Sequence, residues 1–406
     1  MKILRVVTRL NIGGPSLHVL LLSAQLDPQR FTTCLVAGEP ASTEGDLSEL
    51  ARGAGVRMFR LSSLRRSIRP WADLVALVQV LRIVTGERPE IIHTHTAKAG
   101  TIGRLAGILY NRFGHGQTPG ARAILVHTFH GHVLEGYFPV WMSRFFVTIE
   151  RWLARRTDCL IAVSQRIRDE LLVGKGIGRP DQWRVIPLGL NLSALADLPL
   201  PERKSEFRIG VVGRLVPIKN PGLFLRALHR VILQEGTDQT SVSGVIVGDG
   251  PLRKTLEDEV KQLGLDRIVR FSGWQRDLSR VYEGLEAACL TSWNEGTPAS
   301  LIEAMAAGRA VVATDVGGVR DLLEGEDQSS TQIVPGGFRV TDRGVLVRPG
   351  DTEGLAAALR MLARDAGLRT RLGQSAREHV VQHYAHERLL IDMASLYEAL
   401  QRGRQG

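Results

Sequence analysis

Several features that mark special classes of protein are scarce or missing in this chain of 406 residues. It has only three cysteines, and each lies in an apolar run typical of a buried strand, so neither a disulfide framework nor a thiolate metal site is expected. No uninterrupted apolar run reaches the roughly 18 to 20 residues that a membrane span needs. These absences indicate a globular protein of a reducing compartment, and we expect a cytoplasmic location.

Motifs of several other protein classes are also absent. The sequence lacks the GxGxxG loop and following ribose acid of nicotinamide dehydrogenases, and it lacks a helical HExxH. We therefore expect neither a metal nor another bound cofactor. No nucleic-acid-binding motif is found, and no nucleic acid partner is expected.

Positive charge is concentrated in the first half of the chain. Residues 1 to 200 hold 25 Lys and Arg against 15 Asp and Glu, whereas residues 201 to 406 hold 27 of each sign. A basic half can face nucleic acid, anionic lipid or an acidic substrate, and composition by itself does not choose among them.

Short apolar runs alternate with longer periodic segments along the whole chain, which predicts βα units and parallel sheets. We expect an α/β protein of two doubly wound, Rossmann-like domains facing a central cleft. The first domain is predicted at residues 1–197 and the second at 207–384. The proline-rich, charged segment 198–206 is the expected linker. Residues 385–406 are expected to form a helix that packs back on the first domain.

The strongest motif is SWNEGTPASLIEAMAAG at 292–308, which follows a strand-like run and opens a helix. With Thr297 as N-cap and Pro298 in the first helical position, the next three amides would lack intrahelical partners, and such a helix end attracts a diphosphate. In this motif the candidate residues for binding the diphosphate ligand are Gly296, Pro298, Ala299, Ser300, Leu301 and Glu303, and Glu295 precedes them. The two glutamates would address hydroxyls of the ligand. The alternative is a capped amphipathic helix with two surface glutamates.

A second motif, VVGRLVPIKN at 211–220, again runs from a strand through a glycine, Gly213, towards a helix. Arg214 and Lys219 would project from the carboxyl end of this strand, where two fixed cations can neutralise a departing diphosphate. Solvated surface charges would explain the same two residues. The first motif favours the diphosphate role.

Three weaker signals also follow predicted strands. Gly13 and Gly14 would let backbone amides approach a phosphate or sugar, although a simple tight turn explains them too. In HTFHGHVLEGYF, His130 or His132 could hydrogen-bond a sugar hydroxyl, pack at a domain edge or bind zinc. A nucleotide base could lie against Trp274 or meet Gln275, and a structural tryptophan is the alternative.

Taken together, these motifs resemble the GT-B retaining glycosyltransferases of family 4, also called glycosyl transferases group 1. The resemblance covers nearly the whole chain, and the motifs arrive in that family's order. Its hallmark is a pair of glutamates separated by seven residues, which Glu295 and Glu303 match. The segment HTHTAKAGTIGRLAG at 93–107 looks like that of bacterial enzymes that build cell-surface polysaccharides.

The resemblance implies roles for individual residues. Glu295 would contact the donor sugar and Glu303 the ribose, while Arg214 and Lys219 would bind the diphosphate. His130 looks like the family's active-site histidine near the donor sugar. Gly14 looks like its N-terminal loop glycine.

The implied reaction is transfer of a hexose-type sugar, with retention, from a nucleotide diphosphate sugar, expected to be a UDP-sugar. The acceptor would be a glycan or polyprenyl-linked glycan. Segments 63–82 and 137–156 mix aromatic, aliphatic and arginine positions, so contact with an anionic membrane at its cytoplasmic face is also expected. An ordinary core-facing helix would show the same pattern.

Two other functions remain open from the sequence. A sugar-nucleotide epimerase of GT-B-like fold would bind the same donor but would need acid and base groups at the sugar ring. A non-catalytic protein that only binds nucleotide-sugar would keep donor affinity without transfer. Release of free nucleotide only when an acceptor is added would exclude the epimerase.

Overall fold

A computed structural model describes residues 1–11, 13–40, 45–65, 67–114, 121–131, 140–202, 206–234, 241–325 and 332–405. By its internal contacts the chain divides into two compact units. Unit 1 comprises residues 1–189 together with 386–406, and unit 2 comprises residues 190–385.

Unit 1 is a seven-stranded, entirely parallel sheet with helices on both faces. Its strands are β1 (Lys2–Val7), β2 (Thr32–Gly38), β3 (Arg57–Leu61), β4 (Ile91–His95), β5 (Ile124–Phe129), β6 (Cys159–Ala162) and β7 (Trp183–Val185), in the spatial order β3-β2-β1-β4-β5-β6-β7. Its helices are α1 (Gly14–Gln25), α2 (Ser48–Gly53), α3 (Pro70–Glu87), α4 (Ala97–Phe113), α5 (Val140–Ala154) and α6 (Gln165–Asp169).

Unit 2 repeats this plan with one antiparallel edge strand. Its strands are β8 (Glu206–Val212), β9 (Ser241–Val247), β10 (Val269–Gly273), β11 (Ala287–Leu290), β12 (Ala310–Thr314), β13 (Phe338–Val340) and β14 (Val345–Val347), in the order β10-β9-β8-β11-β12-β14-β13. Its helices are α7 (Ser193–Ala196), α8 (Pro221–Gln234), α9 (Arg253–Gln262), α10 (Leu278–Glu283), α11 (Ala299–Ala306), α12 (Val319–Leu323), α13 (Thr352–Arg364) and α14 (Ala366–Tyr384). The predicted fold class, two Rossmann-like α/β sheets, is confirmed.

The last helix, α15 (His386–Gln405), belongs to unit 1. Its apolar side chains, among them Leu389 and Met393, are buried in one core cluster with Ile3 and Ile91 of the sheet. Tyr397 on the same helix bonds to a side chain of β4, as described below. The chain therefore returns at its end to cover a face of the first sheet.

The boundary between the units differs from the predicted linker. Residues 190–197, which the sequence analysis placed in the first domain, belong to unit 2. The cause is hydrogen bonding to residues far along the chain: the Leu190 amide donates to the carbonyl of Tyr384, and Arg377 donates to the carbonyl of Leu198. Such long-range bonds to backbone carbonyls leave no signal in the composition of the segment.

The hydrophobic cores lie between each sheet and its helices. Among the described residues, a large cluster in unit 2 joins β8, β9, α8 and α13, and four clusters line the sheet of unit 1. No helix in the described ranges combines the length and the apolar character needed to cross a bilayer.

Candidate functional site

The strand order of unit 2 reverses between β8 and β11. These strands are hydrogen-bonded neighbours, with Ala287 opposite Ile209, yet β8 leads to β9 on one side and β11 to β12 on the other. In open α/β sheets, ligands bind in the crevice at the carboxyl ends of the strands at such a reversal. The segments that follow the two strands, 213–220 and 291–298, contain the two strongest motifs of the sequence.

The side chains of Lys219 and Glu295 meet at this edge of the sheet. Lys219 Nζ lies 2.5 Å from Glu295 Oε1, and Ser292 Oγ donates to the same carboxylate oxygen, also at 2.5 Å. The side chains of Lys219 and Glu295 are 25% and 9% exposed. Oε2 of Glu295 accepts no hydrogen bond from any residue in the described ranges, so it is available to a hydroxyl donor.

Hydrogen bonds to backbone carbonyls hold the two segments together. Thr291 Oγ1 donates to the carbonyl of Lys219 at 2.9 Å, and the amide of Trp293 donates to the carbonyl of Ile218 at 2.8 Å. Lys219 ends a short 3-10 turn, and Asn220 after it has a φ of 45°. The ion pair is therefore fixed by the backbone on both sides.

The opposite side of the Glu295 loop rests on the segment after β12. Gly318 donates its amide to the carbonyl of Gly296 at 2.9 Å. Gly317 has a φ of 47°, and a Cβ at this position would lie 1.8 Å from the carbonyl oxygen of Glu295. Only glycine therefore permits this close approach.

Helix α11 begins one residue later than predicted. Its N-cap is Pro298, so the assignment of Thr297 as N-cap and Pro298 as the first helical residue was wrong. The amide of Leu301 donates to the carbonyl of Pro298 at 3.1 Å, which removes it from the predicted set of open amides. No described residue accepts from the amides of Ala299 and Ser300, so two of the three predicted donors remain open.

Glu303 lies on α11 beside the hydroxyl of Tyr282, which is 3.2 Å from Oε2 of Glu303 and 2.9 Å from the carbonyl oxygen of Ser300. Burial raises the pKa of Glu303 to about 7, and the hydrogen bond from Tyr282 opposes part of that rise. Part of the residue still reaches solvent. Near neutral pH this carboxyl can therefore change its protonation state. Tyr282 was not predicted as part of the site, because nothing in its local sequence links it to α11.

The remaining candidates in unit 2 occupy different positions along the edge. Arg214 is half-buried just after Gly213, which has a φ of 152°. Trp274 and Gln275 follow β10, an edge strand separated from β8 by β9. Trp274 is 41% exposed, which does not fit a buried structural tryptophan, and the side chain of Gln275 donates to the carbonyl of Ser272 at 2.6 Å.

In unit 1 the reversal of strand order falls between β1 and β4. Gly13 and Gly14 lie where the chain passes from β1 into α1, and Gly13 is the N-cap of that helix. His130 follows β5, the next strand after β4. His132 lies outside the described residues.

His130 is part of a histidine cluster that the sequence analysis missed. His18 on α1, His95 at the end of β4 and His130 each bring a ring nitrogen within 4.8 Å of the others. Burial lowers the pKa of His130 to about 4 and also lowers those of His18 and His95, so all three imidazoles are neutral at pH 7. Three neutral histidines so placed could hold a metal ion, an arrangement that their separate positions in the sequence did not indicate.

Comparison with known proteins gives two family matches. Residues 206–365 match the model described as glycosyl transferases group 1, and residues 13–189 match the glycosyl transferase 4-like domain. Together the two matches cover most of the chain.

Among curated proteins, the chain is 28% identical over 281 residues to the UDP-Gal:alpha-D-GlcNAc-diphosphoundecaprenol alpha-1,3-galactosyltransferase of Escherichia coli, covering 67% of this chain and 69% of that one. It is 26% identical over 433 residues to the D-inositol 3-phosphate glycosyltransferase of Streptomyces coelicolor, covering 96% and 87%. Among solved structures, HepE of Anabaena in complex with UDP-glucose superposes with a TM-score of 0.73 at 22% identity, covering 98% of this chain and all of that one (100%). The last likeness concerns the fold.

The contact between Gly317 and Glu295 predicts that Gly317→Ala displaces the Glu295 loop, since the new Cβ would overlap a carbonyl oxygen. We expect a loss of about 2 kcal/mol or more in the free energy of unfolding, measured in urea. The control is Gly264→Ala, where φ is 67° but nothing lies within 4 Å of the added Cβ. Equal losses in the two variants would contradict the steric explanation.

The raised pKa of Glu303 predicts a stability that depends on pH. Because the folded-state pKa of about 7 lies above the ordinary value of 4.5, the free energy of unfolding should fall as pH rises between these values, and the cost is fully present above pH 7. Glu303→Gln mimics the protonated form. At pH 8 it should raise the free energy of unfolding by about 1 kcal/mol, and at pH 5 the gain should shrink. Destabilisation of the same size at both pH values would refute this account.

Proposed function

The chain belongs to the glycosyl transferases group 1 and is a glycosyltransferase of GT-B fold, and from this premise we propose that it transfers a hexose-type sugar, with retention, from a UDP-sugar to a glycan or lipid-linked glycan in cell-surface polysaccharide synthesis. The observation that carries the proposal is the Lys219–Glu295 pair at the β8–β11 reversal, beside the start of α11. The E. coli relative is named for a UDP-galactose donor and a diphosphoundecaprenol-linked acceptor, and HepE binds UDP-glucose. Both names support a UDP-sugar as the donor.

In the proposed complex, Glu295 accepts a hydrogen bond from a hydroxyl of the donor sugar through Oε2, its open oxygen. Lys219 then interacts with the diphosphate as well as with Glu295. A partly buried ammonium group in a fixed position stabilises negative charge more strongly than a mobile surface lysine. Arg214, on the same segment, adds a second cation with a planar set of donors suited to phosphate.

The start of α11 supplies neutral donors to the same anion. The open amides of Ala299 and Ser300 point from a helix N-terminus, where the backbone dipoles favour negative charge. Glu303, further along the helix, is proposed to accept hydrogen bonds from the ribose hydroxyls in its ionised form. Nucleotide binding at this helix would then strengthen as pH rises through about 7.

The proposed transfer needs no protein nucleophile. The bond from the anomeric carbon to the phosphate oxygen breaks while the acceptor oxygen forms its bond on the same face of the sugar. The acceptor proton passes to an oxygen of the departing diphosphate. His130 is proposed to hydrogen-bond the donor sugar. The fixed cations and amides take the role that a divalent metal ion has in other sugar transferases.

Membrane contact is a second part of the proposal, and two helices of unit 1 favour it. The exposed face of α5 carries Trp141, Phe145 and Trp152, with exposed fractions of 68%, 59% and 41%, while its opposite face is buried. Arg144 and Arg151 are exposed on the same helix, and Arg155 and Arg156 are exposed just after its end. On α3, Trp71 is 82% exposed. A core-facing helix would bury its aromatic residues, so the exposed aromatics and arginines fit the surface of an anionic membrane at its cytoplasmic side.

The role of the cations predicts that Arg214→Ala and Lys219→Ala each lower kcat for sugar transfer about 100-fold, since each removes a charge that stabilises the leaving diphosphate. Turnover can be measured as UDP released from a panel of UDP-sugars with a polyprenyl-linked acceptor. Arg226→Ala is the control, because Arg226 forms an exposed ion pair with Glu259 elsewhere in unit 2.

Near wild-type turnover in both cation variants would refute the proposed mechanism. Release of UDP that requires the acceptor would exclude the epimerase alternative. Donor binding without transfer to any acceptor would instead favour a non-catalytic nucleotide-sugar-binding protein.

The membrane proposal predicts that the protein floats with vesicles containing anionic lipid and not with neutral vesicles. The double variant Trp141→Ser/Phe145→Ser should lose most of this flotation, because it removes the apolar anchors and keeps every arginine. The control, Leu233→Ser/Ile391→Ser, removes two equally exposed apolar side chains from other helices. Flotation without any preference for anionic lipid would remove the membrane from the proposal.

A further inference from the structure

The histidine cluster of unit 1 contains one direct bond between two rings. His95 Nδ1 lies 3.1 Å from Nε2 of His130. The bond joins the end of β4 to the residue after β5, two strands that pair in register with His95 opposite Thr128. His130 therefore has one ring nitrogen, Nδ1, left for another partner.

The rings around this pair restrict how it can move. His18 packs edge-on against His130, with ring centroids 4.9 Å apart and planes at 79°. His93 lies beside His95, with centroids 4.1 Å apart. Both nitrogens of His93 are already bonded, Nδ1 to the hydroxyl of Tyr397 at 2.6 Å and Nε2 to Thr128 Oγ1 at 2.8 Å. The His93 ring is therefore held in place, and it limits the movement of the His95 ring beside it.

The protonation states of His95 and His130 follow from Nε2 of His95, the ring nitrogen that has no hydrogen-bond partner among the described residues. Nε2 of His95 is buried, and no described residue is its partner. If His95 Nδ1 accepted the bond, the proton of His95 would sit on Nε2 as a buried, unpaired N–H, which is rare in proteins. A bare nitrogen lone pair there is the smaller cost. His95 Nδ1–H is therefore the donor, and neutral His130 carries its own proton on Nδ1.

We propose that His95 is a positioning residue, which holds His130 in the Nδ1-protonated tautomer so that His130 offers a neutral N–H donor to an oxygen of the donor sugar. This inference rests on the proposed function for the identity of the ligand. The hydrogen bond and the tautomer of His130 rest on the geometry of unit 1 and can be tested without substrate.

A metal ion is the other occupant that three histidines suggest, and the surrounding charge disfavours it. The described metal-ligand group consists of His18, His95 and His130 and includes no carboxylate. Arg5 is fully buried in the same region. Burial is the main cause of the lowered pKa values of His18, His93 and His95, and the charge of Arg5 lowers them further. A buried cation next to this arginine would be repelled, and none of the three described ligands carries a negative charge to offset that repulsion.

The tautomer can be read directly from the 15N shifts of the imidazole nitrogens, with His130→Asn used to assign the signals. We expect Nδ1–H for His130 in the wild type. His95→Leu should shift the population towards Nε2–H, whereas His95→Asn should preserve it, since the asparagine amide can place an N–H where Nδ1 of histidine lies. Nε2–H in the wild-type protein would overturn the proposal.

Kinetics then separate positioning from a merely structural effect. His95→Leu should lower kcat about tenfold, and His95→Asn should restore it to within about threefold of the wild type. Loss of the donor to Nε2 should also ease protonation of His130, and the imidazolium form carries an N–H on Nδ1 as well as on Nε2. The ratio of His95→Leu to wild-type activity should therefore rise as pH drops from about 6.5 towards 4. Among the described residues, the titratable groups facing His130 are His18 on α1, His93 and His95 on β4, and His127 on β5. A constant ratio would overturn the proposal.

Two further measurements distinguish the remaining explanations. Zn²⁺ alone should give no thermal stabilisation, and saturable stabilisation that His18→Phe abolishes would mean that the cluster is a metal site and would overturn the proposal. His383→Asn, an exposed histidine of α14, serves as the control for both assays. If the tautomer is as expected but His130→Asn keeps wild-type turnover, the tautomer assignment stands and the proposed function of His130 fails.

Discussion

The constraint from which both candidate sites follow is the reversal of strand order at the centre of each sheet. In unit 1 it lies between β1 and β4, and in unit 2 between β8 and β11. Because all of these strands are parallel, their carboxyl ends meet at one edge, and the helices that follow diverge to opposite faces. The segments left at that edge line the crevice between the diverging helices, where a ligand can bind. They can therefore carry polar side chains that a packed interior would reject.

The two edges stabilise their polar groups in different ways. In unit 2, Lys219 and Glu295 offset each other's charge, and both remain within reach of solvent. In unit 1, the imidazoles of the buried His95 and the half-buried His130 are neutral, and a direct hydrogen bond joins them. Charged groups suit the binding of a diphosphate, whereas neutral donors suit sugar hydroxyls. The difference agrees with the division of tasks proposed for the two units.

Local sequence predicted the central strands well because each is a short apolar run between glycines or polar residues, as TTCLVAG is for β2. It does not mark β3 or β7, whose exposed or short segments pair with strands distant in sequence, or the three-residue β13, which pairs with β14 just after it. The same reason explains the N-cap of α11. Pro298 and Thr297 are both good residues for a helix start, and the choice between them depends on how Gly317 and Gly318 hold the preceding loop.

By itself the sequence determined the fold class, the family resemblance and the order of the motifs, because periodicity and glycine spacing are local properties of the chain. It also identified Glu295 and Lys219 as candidates, although not as partners. Only the tertiary structure decided that these two side chains bond, that Tyr282 faces Glu303, and that His18, His95 and His130 share one cluster. These contacts join residues from separate strands and helices, and strand order, which brings them together, depends on the packing of the whole sheet.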